Sequence, residues 1–361
     1  MAGHRPRALQ VYAGPRALRH LRERGLRPAD VRLIPAAAGG PKGLVLNPLD
    51  RFLFGHWLAD SPHTLHLLGA SIGAWRMACA MLPDADQALA ELARLYIHQQ
   101  FDVPAGAWPD PTEVSRVFAE LLGRQFGGRE AALLAHPQRR LHVFTSRGLG
   151  ALLRREGRVR TPLGYLGAFA SNLARRRALG GWLQRVVFSD PRDALPLALD
   201  DFASQRVPLD ATNLGPALQA SGSIPFVLKA VHHIPGAPPG AYWDGGITDY
   251  HLHLNYAAMS DGLVLYPHFQ RALVPGWLDK GLKHRHGSTA RLDNVVVMAP
   301  RAEWVGTLPH RKLPDRQDFK AWRHDPASRI AAWQQAVDAA QQLADEAADW
   351  LAHPTQDALP L

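Results

Sequence analysis

The sequence predicts an α/β domain, a mostly parallel central sheet between two layers of helices, on three observations. Several candidate strands, such as VRLIPA and NVVVMAP, are continuous apolar runs, the pattern of strands buried on both faces. Helix-like stretches alternate with them, as parallel crossovers require. The 361 residues are 47% hydrophobic, enough for a large core, with no internal repeat, low-complexity tract or dividing linker. The whole of 1–361 therefore reads as one domain.

In chain order, ALQVYAG (8–14) reads as a strand, followed by a helix that starts on Pro15 and closes on Gly25. VRLIPAAAGG (31–40) reads as a strand running into a glycine-rich turn. Residues 43–58 read as helical, with Pro48 forcing an early start or a kink. TLHLLGA (64–70) is a strand and IGAWRMACAML (72–82) a helix. Further strands are expected at 141–147, 185–190, 241–246, 262–268 and 294–300. A single C-terminal helix is expected over about 327–352. It would line up Ile330, Trp333, Val337, Ala340, Ala344, Ala347 and Leu351 on one face. Its other face carries Asp338, Asp345, Glu346 and Asp349, which anionic lipid would repel, so the helix is expected to pack on the core.

Cys79 is the sole cysteine, so no internal disulfide forms, which fits a reducing compartment. The opening MAGHRPRALQ lacks the apolar core of a secretory signal, and no 18-residue uncharged apolar stretch exists. The expectation is a cytoplasmic protein, in peripheral contact with a membrane at most. The net charge of +9 is local. Residues 139–186 hold eleven arginines and one acid, Glu156, leaving the rest of the chain at −1. This segment, read as an Arg-rich insertion or lid, interleaves Arg175, Arg176 and Arg177 with apolar residues that include Trp182. Rings at a headgroup boundary beside arginines that meet phosphates would suit an anionic membrane surface. No nucleic-acid module is visible, so no nucleic-acid partner is expected. His251-x-His253 and His284-x-His286 offer two ligands each, too few for a metal centre. No metal or cofactor is expected, and the oligomeric state stays open.

Four motifs carry the chemistry. Gly69 to Gly73 matches G-x-S-x-G on a strand-to-helix turn, the context that projects a nucleophilic Ser71 above a sheet. Gly39-Gly40-Pro41-Lys42-Gly43 is a glycine turn after the preceding strand, whose free N–H groups suit a developing oxyanion; Pro41 has none. The P-loop spacing is absent from it. Asp244-Gly245-Gly246 puts a carboxylate at a strand end, followed by two glycines that admit it to a crowded cleft. Just upstream, Ala220 to Pro225 breaks a helix-like run with small residues.

Together these residues resemble the patatin-like phospholipase family, whose members carry G-G-x-[KR]-G, G-x-S-x-G, A-S-x-x-x-P and D-G-G in this order. Here the motifs span residues 38–246, with Ala38 where many members have glycine; nothing after about residue 250 maps onto the family. The resemblance implies a three-layer α/β/α fold and lipid acyl hydrolysis on a Ser–Asp dyad. Ser71 would be nucleophile and Asp244 general base. Gly39, Gly40, Lys42 and the amide of Ile72 would hold the oxyanion, with Gly43, Gly69, Gly73, Gly245 and Gly246 supporting the motifs. The expected substrate is a lipid ester, phospholipid or lysophospholipid first. The alternatives are a Ser–His–Asp esterase, drawing on His232, His233, His251 or His253, and a non-catalytic lipid-surface module of the same fold.

Overall fold

The computed structural model describes residues 6–59, 61–101, 109–353 and 357–361. Three of the first four elements follow the expected pattern: β1 (Leu9–Ala13), α1 (Pro15–Arg24) with Gly25 closing it at φ 69°, and β2 (Val31–Ala36). The stretch read as one helix over 43–58 is three. A 3-10 turn spans Gly40–Leu46, α2 covers Asn47–Phe52 with Pro48 in its first turn, and a π-helical turn spans Leu53–Trp57. Proline is tolerated there because the first-turn N–H has no partner to lose. Then come β3 (Leu65–Ala70), α3 (Ile72–Ala80), α4 (Ala85–His98), α5 (Pro111–Phe126) and α6 (Glu130–Leu134). The middle of the chain holds β4 (Arg139–Gly148), α7 (Gly150–Leu153), α8 (Arg160–Ala174), β5 (Leu183–Ser189), β6 (Ser204–Pro208) and α9 (Leu214–Gly222). It closes with β7 (Tyr242–Asp244), α10 (Gly246–Asp249), β8 (Leu263–Pro267) and β9 (Val295–Pro300). The tail adds α11 (Ala302–Val305), α12 (Gln317–Ala321), α13 (Pro326–Ala339), α14 (Gln341–Ala352) and β10 (Leu359–Pro360).

The strands form one ten-stranded sheet in the order β10-β1-β9-β8-β2-β3-β4-β5-β6, with β7 on β4. Pairing is parallel except at β1–β9, β4–β5 and β4–β7. Every residue of β3 and β8 is buried, so the centre of the sheet is covered on both faces, as the apolar runs demanded. The fold is thus α/β with a mostly parallel sheet. The first five residues, part of the stretch read against a secretory signal, lie outside the described residues. Among the described residues no helix is long and apolar enough to cross a membrane.

Two expectations need correction. The C-terminal helix is two, α13 and α14, meeting at Ala340. Trp333, Val337, Ala340, Ala344, Ala347 and Leu351 are buried as expected, but Ile330 is only partly so. Arg329 takes the interior place, giving its guanidinium to the carbonyls of Ile97 and Gln99.

The second concerns 139–186, which is neither an insertion nor a lid as a whole. Its two ends are sheet strands, β4 and β5, and only the stretch from α7 to about residue 181 lies outside them. Arginine density misled because several of these charges are interior. Arg139 serves the carbonyls of Ala80 and Phe54, and Arg140 pairs with Asp193. Arg185, fully buried, donates from Nε and Nη2 to both carboxylate oxygens of Asp249 and from Nη1 to Asp201. Its partners lie 16 and 64 residues further along the chain, so no local pattern announces them. The pair ties β5 to α10. Arg185→Ala would leave the buried Asp249 carboxylate without its counter-charge, and losses of this kind are about 3–5 kcal/mol. The expected result is a loss of unfolding free energy of that size, read as a lower urea midpoint at an unchanged denaturant slope; an unmoved midpoint contradicts the role given to this pair.

Candidate active site

The sheet register brings Ser71 and Asp244 together. β3 pairs with β4 up to Ala70 opposite Phe144, and there β3 ends. The next residue of β4, Thr145, pairs with Asp244. Because β5 occupies the other edge of β4 over the same residues, β7 must lie in the lane that β3 vacates. Two strands therefore meet end to end, with Ser71 leaving one and Asp244 closing the other. The Ser71 hydroxyl donates to Asp244 Oδ2 at 2.7 Å, and both residues are buried.

Close backbone packing sets this geometry. A Cβ on Gly69 would stand 2.3 Å from the Ala74 Cα, and one on Gly245 would stand 2.1 Å from the Phe144 carbonyl oxygen. Gly246 is closed to a side chain by the Cβ of Ala38 at 2.6 Å, and Gly43 faces Ile72 at 3.3 Å. Ser71 itself has φ 56° and ψ −130°, a conformation that costs a non-glycine residue on the order of 1–3 kcal/mol. The strain is held by a bond from the Ser71 N–H to the Ser221 hydroxyl at 2.9 Å. Ser221 passes its own proton to the Phe144 carbonyl at 2.7 Å. Its backbone carbonyl accepts the Gly245 N–H, and the Ser223 carbonyl accepts the Asp244 N–H. The small-residue stretch at the end of α9 is thus the brace behind both Ser71 and Asp244. Sequence reading marked the stretch but missed this role for Ser221; its one signal was a serine at a helix end in a run of small residues.

The oxyanion candidates lie on two turns. Gly39 and Gly40 lead into the 3-10 turn, with Gly40 at φ 56°, where a side chain is disfavoured. Among the described residues no acceptor pairs with the Gly39 N–H, and the Ile72 N–H, first in α3, has no intrahelical partner. Lys42 lies inside the 3-10 turn, its Nζ 5.4 Å from the Phe269 ring centroid.

Opposed influences act on Asp244. Burial pushes its carboxyl above the ordinary carboxylate range. Arg316, the Ser71 hydroxyl, the Gly246 N–H at 2.7 Å and Lys280 pull the other way. Among the described residues no histidine bonds Ser71 or Asp244. His232 and His233 are exposed, and His253 bonds Thr289 at 3.2 Å. His251 is buried, its Nδ1 accepting the Val274 N–H at 2.9 Å, and burial drives its imidazole well below the usual range.

The arginine cluster divides. Arg175 and Arg177 are exposed, but Arg176 bonds Asp279 at 2.8 Å and the Thr248 carbonyl at 2.6 Å. Trp182 is not a free surface ring. It is half-buried against Gly167, its Nε1 donating to Ser171 at 2.9 Å. The exposed apolar groups are instead Leu163, Leu166, Phe169 and Leu173, at helical spacing along α8.

No model of a known family matches the chain, and no curated protein matches it.

If Asp244 takes the Ser71 proton in ester cleavage, it must be ionised to do so, and turnover should rise with pH through its titration. Its position follows from the raised carboxyl: the acid limb of kcat/KM lies above the ordinary aspartate value of about 3.9. Arg316→Gln removes a charge that favours the ionised form, so the limb should move to higher pH. A pH profile on a neutral water-soluble ester reads both. A limb that stays put, or moves down, removes Arg316 from the electrostatics of the base.

Proposed function

We propose that this protein is a serine acyl hydrolase of lipid esters, working through a Ser71–Asp244 dyad in the manner of the patatin-like phospholipases its motifs resemble. The observation that carries the proposal is the 2.7 Å hydrogen bond from a backbone-strained serine to a buried carboxylate. Ser71 Oγ attacks the ester carbonyl carbon while Asp244 Oδ2 takes the hydroxyl proton. Charge on the carbonyl oxygen meets the N–H groups of Gly39, Gly40 and Ile72. The C–O bond to the alcohol breaks, and the departing alkoxide receives the proton from Asp244. Water then attacks the acyl-serine, giving its proton to Asp244. Ser71 leaves with that proton, and the carboxylic acid is released. With an aspartate as base, rate comes from positioning and oxyanion stabilisation more than from base strength.

A lipid substrate is favoured by the surface beside the site. Tyr165, on the buried side of α8, packs 5.7 Å from the Phe226 ring and 6.3 Å from the Trp243 ring, next to Asp244. Phe226, Val227 and the outer residues of α8 are exposed, with Arg175 and Arg177 just beyond the end of α8. An apolar stripe ending in exposed arginines fits the headgroup boundary of an anionic bilayer.

Ser71→Ala should abolish ester hydrolysis and labelling by a fluorophosphonate probe with circular dichroism unchanged. Asp244→Asn should lose nearly all turnover, whereas His→Gln changes at 232, 233, 251 and 253 should each keep most of it. Full activity in folded Ser71→Ala would end the hydrolase reading. A single histidine change as damaging as Asp244→Asn would favour the triad.

Binding to vesicles containing phosphatidylglycerol should weaken as salt rises, since the Debye length falls from about 8 Å at 0.15 M to about 3 Å at 1 M. A Leu163→Ser, Leu166→Ser double change should weaken binding at every salt concentration. Sedimentation with vesicles measures both, and binding indifferent to either moves the membrane contact away from α8.

A further inference from the structure

Three cations gather around the Gly39–Gly40 turn and the rim beside the dyad, and among the described residues none of them has an ion pair. Arg316, in the loop before α12, lies against the oxyanion turn: a Cβ on Gly40 would be 3.2 Å from its Nε. It is half-buried, yet among the described residues it has no hydrogen bond and no ion pair. Lys42 rises from the same turn over the Phe269 ring and also lacks an ion pair there. Lys280 stands at the rim, with Nζ 4.1 Å from the Tyr250 ring centroid and 5.7 Å from that of Trp277. The three feel one another. Burial lowers the Lys42 amine, and the Arg316 charge adds to this. Desolvation, then Arg316 and Lys42, push the Lys280 amine down to about 8. Two acids are within reach. Asp244 is committed to Ser71, and Asp315, which acts on Lys42, already holds Lys312 at 3.0 Å. Aromatic faces give such cations modest compensation, and a phosphate or carboxylate would give far more.

We propose that Arg316, Lys280 and Lys42 form an anion subsite that selects esters carrying a phosphate or carboxylate group close to the scissile carbonyl. The inference rests on the hydrolase reading and sharpens its specificity: a neutral ester of the same length is the poorer substrate. Arg316 and Lys280 belong to the part of the chain after residue 250, outside the four motifs. Geometry gives them different tasks. Arg316, a planar fork beside the oxyanion turn, suits two oxygens of one group, while the lysines act as point charges on either side.

The test compares 1-hexanoylglycerol 3-phosphate with 1-hexanoylglycerol. Both carry the same ester, and short chains keep both monomeric, so the surface arginines do not enter. The expected result is a kcat/KM at least about tenfold higher for the phosphate, carried mainly by KM, with the ratio falling toward one in Arg316→Gln and Lys280→Gln. Because any effect on the Asp244 base acts on both esters alike, the ratio isolates the subsite. Fluorophosphonate labelling of Ser71 is run on every variant. Retained labelling with no preference for the charged ester overturns the subsite and leaves the hydrolase standing, whereas no labelling of the native protein overturns the hydrolase. An equal loss on both esters in Arg316→Gln, measured above the acid limb and with the charged-ester preference unchanged, places Arg316 on the chemistry common to both esters and also overturns the proposal. Inorganic phosphate should raise the Tm of the native protein but not of the Arg316→Gln, Lys280→Gln double variant. If phosphate binds but the esters are not distinguished, the site holds free anions, and the substrate assignment fails.

Discussion

At Gly73 the first turn of α3 runs so close to the end of β2 that a Cβ would stand 2.0 Å from the Ala36 carbonyl oxygen. That approach fixes the rest of the site. It draws the Ser71 turn against the strand that feeds the Gly39–Gly40 turn, so the two turns share one rigid corner. A side chain of any size would separate them by more than a hydrogen bond tolerates. Gly69 and Gly245 repeat the constraint on the neighbouring lanes, and the close packing leaves the Asp244 carboxylate within bonding range of the Ser71 hydroxyl. Behind this corner Arg76 of α3 reaches Asp50 with bonds of 2.6 and 2.8 Å, both groups interior, so α3 is also locked to α2.

The electrostatics at the corner oppose each other by design of the packing. Burial makes Asp244 reluctant to ionise, which strengthens it as a base, while Arg316 and Lys280 keep the ionised form within reach. The same cations repel one another. An anion placed among them would relieve that repulsion. The Asp244 carboxylate is itself engaged, with the serine hydroxyl on one oxygen and the Gly246 amide on the other.

Legibility in the sequence followed how local each cause is. The Ser71 turn is local: strand, small residues, serine and helix stand side by side, and the structure keeps them in that order. Asp244 at a strand end was likewise readable, although the lane it shares with β3 depends on the register of β4. Strand β6 was not readable. It is an edge strand with one buried residue in five, so its sequence carries no apolar pattern. The break at Ala340 has no glycine or proline to mark it. Charge was the poorest guide. Arg185 looks like surface until Asp201 and Asp249 are brought to it, and Arg316 looks like surface until the 3-10 turn arrives beside it. A charged side chain takes its meaning from partners that only the fold selects.

The sheet order places β1 between β9 and β10, and the carboxylate of Glu346 in α14 accepts the N–H groups of Ala8 and Leu9. Each neighbour of β1 lies near the opposite end of the chain. During synthesis the first strand therefore emerges with both edges bare and waits for some 290 residues before Pro300 can pair with Leu9. For that interval an apolar ribbon with open hydrogen-bonding edges is exposed to any other chain nearby. Strands β2, β3 and β4 pair with one another within about 120 residues, but β2 still waits for β8 and the Ser71 turn for the Ser221 hydroxyl that holds it. Slow or interrupted translation would therefore lengthen the time for which the bare edges of β1 stay open to other chains.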